Sequence, residues 1–159
     1  MCYSNHDDFL EDYEKKVSQK RNSKTNDIHI LTLKVSDYNS DNGIIIDDFI
    51  ICIASTNQKA EIEKAKFIQI CKKYVNIVKQ KNIDLNEFHV TNGGFISTNQ
   101  MTKTQLEKRQ EILNIVIQFE NDNFSFCKGA TSAIQNTYSD DLSIGDYELT
   151  FDITERELI

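Results

Sequence analysis

Proline and tryptophan are absent from the chain, and glycine occurs only five times in 159 residues. Turns must therefore come mainly from Asn, Asp and Ser, whose side chains hydrogen-bond their own backbone. The four cysteines form no C-x-x-C pair, so their spacing predicts neither a zinc site nor a redox motif. No apolar run approaches the length of a membrane span, and the N-terminus is acidic where a signal peptide is basic. These absences predict a cytoplasmic protein with reduced thiols and no membrane association.

Negative charge dominates the composition, with a formal net charge of −7. This argues against nonspecific nucleic-acid binding, because such binding depends on Lys and Arg neutralising phosphates. The charge is concentrated in residues 140–157, which contain seven carboxylates and Arg156 as the one cation. By contrast, residues 57–82 contain seven lysines and two glutamates. We therefore expect a strongly dipolar molecule.

The most apolar segment is 44–54, which is interrupted by Asp47 and Asp48. Such a run predicts a strand that is covered on both faces near the middle of a sheet. Residues 28–37 alternate in polarity, and an Asn-Gly pair between the two segments predicts an antiparallel hairpin. Further strands are predicted at 86–91, 123–134 and 147–153.

Two amphipathic helices are predicted between these strands, at 57–82 and at 104–120. Ser55 with Gln58 can form a capping box for the first helix, and T-Q-L-E from Thr104 can form one for the second. The core face of the first helix is predicted to contain Ile62, Ala65, Ile68, Cys71, Val75 and Val78, and that of the second Leu106, Leu113, Val116 and Ile117.

Length and composition are those of one globular domain. Residues 1–27 are predicted to form an N-terminal helix and a polar loop, and residues 28–159 a sheet with covering helices. The fold class is therefore α+β, a single domain in which two or three helices cover a mixed β-sheet, with the order α-β-β-α-β-α-β-β.

Carboxylates stand on three of the predicted strands, at Asp37, at Asp47 or Asp48, and at Glu87. If neighbouring strands bring them together, they can hold Mg²⁺ or Mn²⁺, which take oxygen ligands and activate water at a phosphate. Asp47 and Asp48 cannot both face one metal, because consecutive side chains in a strand point to opposite sides. The other interpretation is that these acids only contact water at strand ends.

Motifs around these acids resemble an uncharacterised RNase H-like family. E-F-H-V-T-N-G-G-F, which begins at Glu87, and the later L-E-K-R-Q-E-I-L-N-I-V are similar to the family's E-F-H-A-type strand end and its Arg-bearing helix. The family has D-E-S-G at the end of its first strand, where this chain has D-Y-N-S from Asp37. The resemblance extends over roughly residues 28–135.

This resemblance implies an RNase H-like sheet with Asp37 and Glu87 as metal ligands and His89 nearby. With Asp48 added, it gives the alternative function, a nuclease or nucleotidyl-processing enzyme that depends on Mg²⁺ or Mn²⁺. Because Tyr and Ser replace the Glu and Gly of the D-E-S-G motif, the resemblance implies an altered or degenerate site.

The acidic C-terminal segment indicates a different function, the binding of a protein partner. Residues 147–153 alternate, so Glu148 and Asp152 share one wet face, and acids on such a strand suit the edge of a sheet. With Asp146 and Glu155 they are predicted to form an anionic surface for a basic protein partner, since charge complementarity accelerates association and selects the partner. The other interpretation is a solvated face that keeps the protein soluble. The sequence favours an acidic binding protein of the immunity-protein or inhibitor type, with no cofactor, over the enzyme.

Overall fold

The computed structural model describes residues 27–37, 45–88, 96–139 and 147–158. Within them, one antiparallel sheet has the strand order β2-β1-β3, formed by β1 (Asp27–Asp37), β2 (Ile45–Ala54) and β3 (Tyr147–Glu157). The helices are α1 (Asn57–Leu85), α2 (Lys103–Asn123) and α3 (Thr131–Tyr138). Short 3-10 turns lie at Asn86–Phe88, Thr98–Gln100 and Lys128–Ala130.

The α+β class is confirmed, and the antiparallel pairing of β1 with β2 confirms the predicted hairpin. The predicted element order is wrong, because the described elements follow the order β-β-α-α-α-β. The sheet is not mixed, since both described strand pairs are antiparallel. The N-terminal helix predicted within residues 1–27 lies outside the described part of the chain.

The apolar segment 44–54 is not a central strand, because β1 occupies the middle of the described sheet. An extra residue in β2, Ile51, has no register partner on β1. This bulge interrupts the alternation of the strand. As a result, Ile50 and Ile53 both lie on the face turned away from the helices, where they are 58 % and 62 % exposed. The continuous apolar run therefore includes two exposed isoleucines and does not indicate burial on both faces.

The strand predicted at 123–134 is wrong, because this segment ends α2, makes a 3-10 turn and begins α3. The hydroxyl of Thr131 donates to the carbonyl oxygen of Lys128 at 3.0 Å, which supports the turn. Ala133 and Ile134 are buried in the core shared by the sheet and the helices. The strand predicted at 86–91 begins instead with a 3-10 turn, and its residues 89–91 lie outside the described part.

Both long helices begin with a capping residue, although not with the predicted ones. Thr56, and not Ser55, accepts a hydrogen bond from the backbone N–H of Lys59 at 3.2 Å at the start of α1. At the start of α2, Thr102 and Gln105 form a complete capping box, and Thr102 lies two residues before the predicted Thr104. These side chains satisfy backbone N–H groups that have no partner within the helix.

The core lies between the sheet and the described helices. The buried residues of α1 are Ala60, Phe67, Cys71, Tyr74, Val75 and Val78, so three of the six predicted positions are buried, whereas Ile62 and Ala65 are exposed. On α2 the buried residues are Ile112 and Val116, and Leu106 and Ile117 are exposed. No helix among the described residues is long and apolar enough to cross a membrane.

Candidate functional site

Among the described residues, helices cover one face of the sheet and leave the other face without a covering element. Leu31, Leu33 and Val35 of β1 are buried beneath the helices. The alternate residues of β1 lie on the opposite side, which we call the outer face. A shallow hollow of about 380 Å³ on the outer face is lined by Ile30, Thr32, Asp48, Ile50, Thr154 and Arg156.

The structure does not bring Asp48 and Glu87 together. Asp48 is exposed on the outer face, opposite Lys34 in the register. Glu87 follows α1 on the helix side of the sheet, where its carboxylate contacts the ammonium group of Lys108 at 2.8 Å. Asp47, rather than Asp48, lies on the helix side, where it lines a hollow beside Gly129.

Two further residues belong to the predicted RNase H-like site: the ligand Asp37, and His89, which was predicted to lie near the metal. Asp37 ends β1 opposite Tyr147 in the register, and its side chain lies outside the described atoms. His89 lies outside the described residues. Across the part of the chain that is described, no group of three or more His, Cys, Asp or Glu side chains is arranged to hold a metal ion. The RNase H-like site therefore stays a prediction from the sequence.

The acids of β3 are divided between the two faces of the sheet. Glu148 and Asp152 lie opposite Ser36 and Thr32, which places them on the outer face. Glu155 lies opposite His29 and therefore belongs to the helix side. The predicted surface is thus split by the alternation of the strand. Asp146 lies outside the described residues.

Asp152 is held by an ion pair with Lys34 on the neighbouring strand β1. Both side chains are partly buried, so Asp152 is not the freely solvated acid that the sequence predicts. Opposite charges on neighbouring strands contribute modestly to sheet stability. Asp152 therefore joins β1 to β3 and offers less negative charge to a partner than Glu148 does.

A denser acidic group lies where β1 begins and β3 ends. Asp27 is directly opposite Glu157, and His29 is directly opposite Glu155, so these four residues share the helix-side face of the sheet. No ion pair of Glu155 or Glu157 is found among the described residues. We call Asp27, Glu155 and Glu157 the acidic end of the sheet. Sequence reasoning missed Asp27 because its proximity to Glu157 depends on the register of two strands distant in the chain.

The three described cysteines are poor nucleophiles. Burial raises the pKa of Cys71 and of Cys127 to about 12, and both thiols are buried in the core. Burial also raises the pKa of Cys52, and the nearby Glu63 adds to the increase. Reactive cysteines have a lowered pKa and solvent access, so these thiols have the character of structural residues.

A second concavity lies on the helix layer, along α1 and α2. Its volume is about 680 Å³, and its lining combines apolar groups with acids and amides, namely Ile77, Glu111, Asn114, Ile115, Ile117, Gln118, Phe119 and Asp122. Three of the four polar groups pair along α2, since the amide of Gln118 donates to Asp122 at 2.8 Å and the amide of Gln110 donates to Asn114 at 2.8 Å. Side chains that pair locally along one helix do not converge on a ligand.

No protein family, curated protein or solved structure matches this chain.

Proposed function

We propose that this protein is an acidic binding protein, of the inhibitor or immunity-protein kind, that holds a basic protein partner at the acidic end of its sheet. The observation that carries the proposal is the directly opposed pair Asp27 and Glu157, with Glu155 on the same face. Like charges directly opposite one another on paired strands destabilise a sheet. A cationic surface that docks there would relieve this repulsion.

The position of the acidic end also favours a protein partner. β3 is an edge strand of the described sheet, and its residues from Thr154 to Glu157 are exposed. Exposed rim charges steer a partner of opposite sign and raise its association rate more than they raise its final affinity.

The proposal changes the predicted surface. Glu155 stays in it, and Asp27 and Glu157 are added. Asp152 leaves it because it pairs with Lys34, and Glu148 leaves it because it lies on the outer face.

The test is a charge reversal at the acidic end. We expect Glu155→Lys with Glu157→Lys to lose a basic protein that the wild type captures from a lysate of the source cells. With that captured protein purified, the association rate should fall severalfold in the variant, and the wild-type rate should fall with added salt because salt screens exposed charges.

The matched control is Glu107→Lys with Glu111→Lys on α2, which changes the net charge equally at exposed positions. This control should keep both the capture and the association rate. Equal capture by the wild type and the acidic-end variant would contradict the proposed function, as would an equal loss in the control. Melting temperatures of all three proteins establish that each is folded.

A further inference from the structure

One edge of β3 is not paired with any strand in the described part of the chain. β3 pairs there with β1 alone. Alternate residues of a paired antiparallel strand direct their backbone N–H and C=O groups away from the partner strand. These groups form a row along the side of β3 that is turned away from β1, and we call this row the β3 edge. Such a row is a template on which another strand can pair.

The β3 edge is the more regular of the two edges of the described sheet. β3 pairs with β1 without interruption, from Asp27 opposite Glu157 to Asp37 opposite Tyr147. β2, at the other edge, contains the bulge at Ile51, and bulges disrupt the pairing of an edge strand. A further strand can therefore extend the sheet more readily at β3 than at β2.

The accessible part of the β3 edge lies at the acidic end. At the start of β3, the carbonyl oxygen of Tyr147 accepts a hydrogen bond from the amide of Asn136 on α3 at 3.3 Å. At the other end of the strand, residues 154–157 are exposed. The acidic end and the exposed half of the β3 edge therefore coincide.

We propose that the basic partner binds as an extended strand that pairs with the β3 edge and adds a strand to the sheet. This inference rests on the proposed function, since it takes the acidic end as the binding site. In strand addition, main-chain hydrogen bonds give affinity and alternate side chains give specificity. Glu155 and Glu157 lie on one face of β3, two residues apart. The partner strand should therefore carry Lys or Arg at every second position.

A second copy of this chain is a poorer occupant of the β3 edge. β3 contains four acids, Glu148, Asp152, Glu155 and Glu157, and Arg156 as its one cation. Two copies of β3 side by side would bring two negatively charged strands together, and like charges on neighbouring strands destabilise their pairing. A strand that carries cations replaces this repulsion with an attraction, which also selects the partner.

The probe for the experiment is a capped hexapeptide, Lys-Thr-Lys-Thr-Val-Thr. When it runs antiparallel to β3, its two lysines can lie opposite Glu157 and Glu155. Titration by nuclear magnetic resonance measures its affinity, and at saturation the peptide should slow hydrogen exchange of the amides on the β3 edge at least fivefold. An isomer with adjacent lysines, Lys-Lys-Thr-Thr-Val-Thr, places them on opposite faces of a strand and should bind at least fivefold more weakly.

Two N-methylated forms of the peptide separate strand pairing from charge attraction alone. One form has methyl groups on the backbone nitrogens of its second and fourth residues, and the other on those of its third and fifth. Both keep the same charges, and each has one strand edge without its N–H groups. One form should bind as the unmethylated peptide does, and the other at least tenfold more weakly, because it loses backbone hydrogen bonds to β3.

The protein variants already described serve as controls for the peptide. Glu155→Lys with Glu157→Lys should lose the unmethylated peptide, and Glu107→Lys with Glu111→Lys on α2 should keep it. Loss of the peptide in both double variants would overturn the inference, because the binding would then depend on net charge alone.

Three further results would overturn the inference. Equal binding of the two methylated forms would rule out strand pairing and leave the proposed function standing, since a charged surface alone would bind both. No binding of the unmethylated peptide is the second, and capture of the basic protein decides the proposed function separately. The third is a free protein in which the amides of the β3 edge exchange as slowly as those bonded to β1, because that edge would then already be paired.

Discussion

The hydroxyl of Tyr74 on α1 donates a hydrogen bond to the carboxylate of Glu120 on α2. The same phenolic oxygen accepts a hydrogen bond from the amide of Gln135 on α3 at 2.8 Å. Tyr74 is fully buried, and its ring stacks on Phe119 and meets Phe124 edge to face. Burial, and then the bond to Glu120, raise the pKa of Tyr74. The hydroxyl of Tyr74 therefore connects the three described helices by hydrogen bonds.

We predict that Tyr74→Phe lowers the free energy of unfolding by about 1.5–3 kcal/mol, the contribution of a hydrogen bond to a charged group. The substitution keeps the ring contacts, so the loss reports on the hydroxyl alone. Urea unfolding measures it, with Tyr147→Phe at a more exposed tyrosine as the control. If the free energy of unfolding falls no more than in the control, the hydrogen bonds of the Tyr74 hydroxyl do not stabilise the helix layer.

Alkaline pH should destabilise the fold through the two buried thiols. Burial raises the pKa of Cys71 and of Cys127 from 9.0 to about 12. Because the pKa of each thiol is higher in the folded state, its contribution to the free energy of unfolding is complete below pH 9.0. This contribution is lost as the pH rises toward about 12. Stability should therefore begin to fall just above pH 9.0.

Urea melts at several alkaline pH values check this, with Cys71→Ala and Cys127→Ala for comparison. The alanine variants are less stable at neutral pH because they leave cavities, but their stability should fall less steeply above pH 9.0. Identical slopes in wild type and variants would assign the alkaline loss to other groups. Tyr74, whose pKa is also raised from 10.0, adds its effect at higher pH.

Local patterns in the sequence predict most of the described elements. The alternation of 28–37 and 147–153 appears as β1 and β3, and the amphipathic periods of 57–82 and 104–120 appear as α1 and α2. These patterns depend on neighbours within one element. Leu149 and Phe151 pack against the core as the alternation of β3 predicts.

The errors have non-local causes. α3 has eight residues, too few for a helical period to be distinguished from a short strand, and it is stabilised by packing against α1 and β3. The bulge at Ile51 exists only relative to β1, so the sequence of β2 alone cannot reveal it. The acidic end could not be predicted from local sequence either, because it depends on the register that sets residue 27 opposite residue 157.

Because of the bulge, Ile51→Ala and Ile53→Ala should lower the free energy of unfolding by different amounts. Ile51 packs against the core and Ile53 is 62 % exposed. Ile51→Ala should cost on the order of 2 kcal/mol through lost burial, whereas Ile53→Ala should stay within about 0.5 kcal/mol. Urea melts of the two variants and the wild type measure these losses. Equal losses would indicate that β2 is covered on both faces, as the sequence predicts.

The acidic end should oppose folding, whatever its role in the proposed binding. Asp27 and Glu157 are directly opposed across β1 and β3. Glu157→Lys replaces this repulsion with an attraction, and opposed pairs of this kind are worth about 0.2–1 kcal/mol. We expect the free energy of unfolding to rise by an amount near the lower figure, because solvent screens exposed charges. The gain should shrink as salt is added.

The control is Glu111→Lys on α2, which makes the same change in net charge away from the acidic end. Urea melts at low and high salt measure both variants, and the association assay then measures their binding. Glu157→Lys should be more stable than the wild type. If the proposed function is right, it should also associate more slowly with the basic partner, since functional sites are kept at a cost in stability. A gain equal to that of Glu111→Lys would reflect only the reduced net charge. A gain that persists at high salt would not be electrostatic, and the opposed acids would then give no support to a binding role.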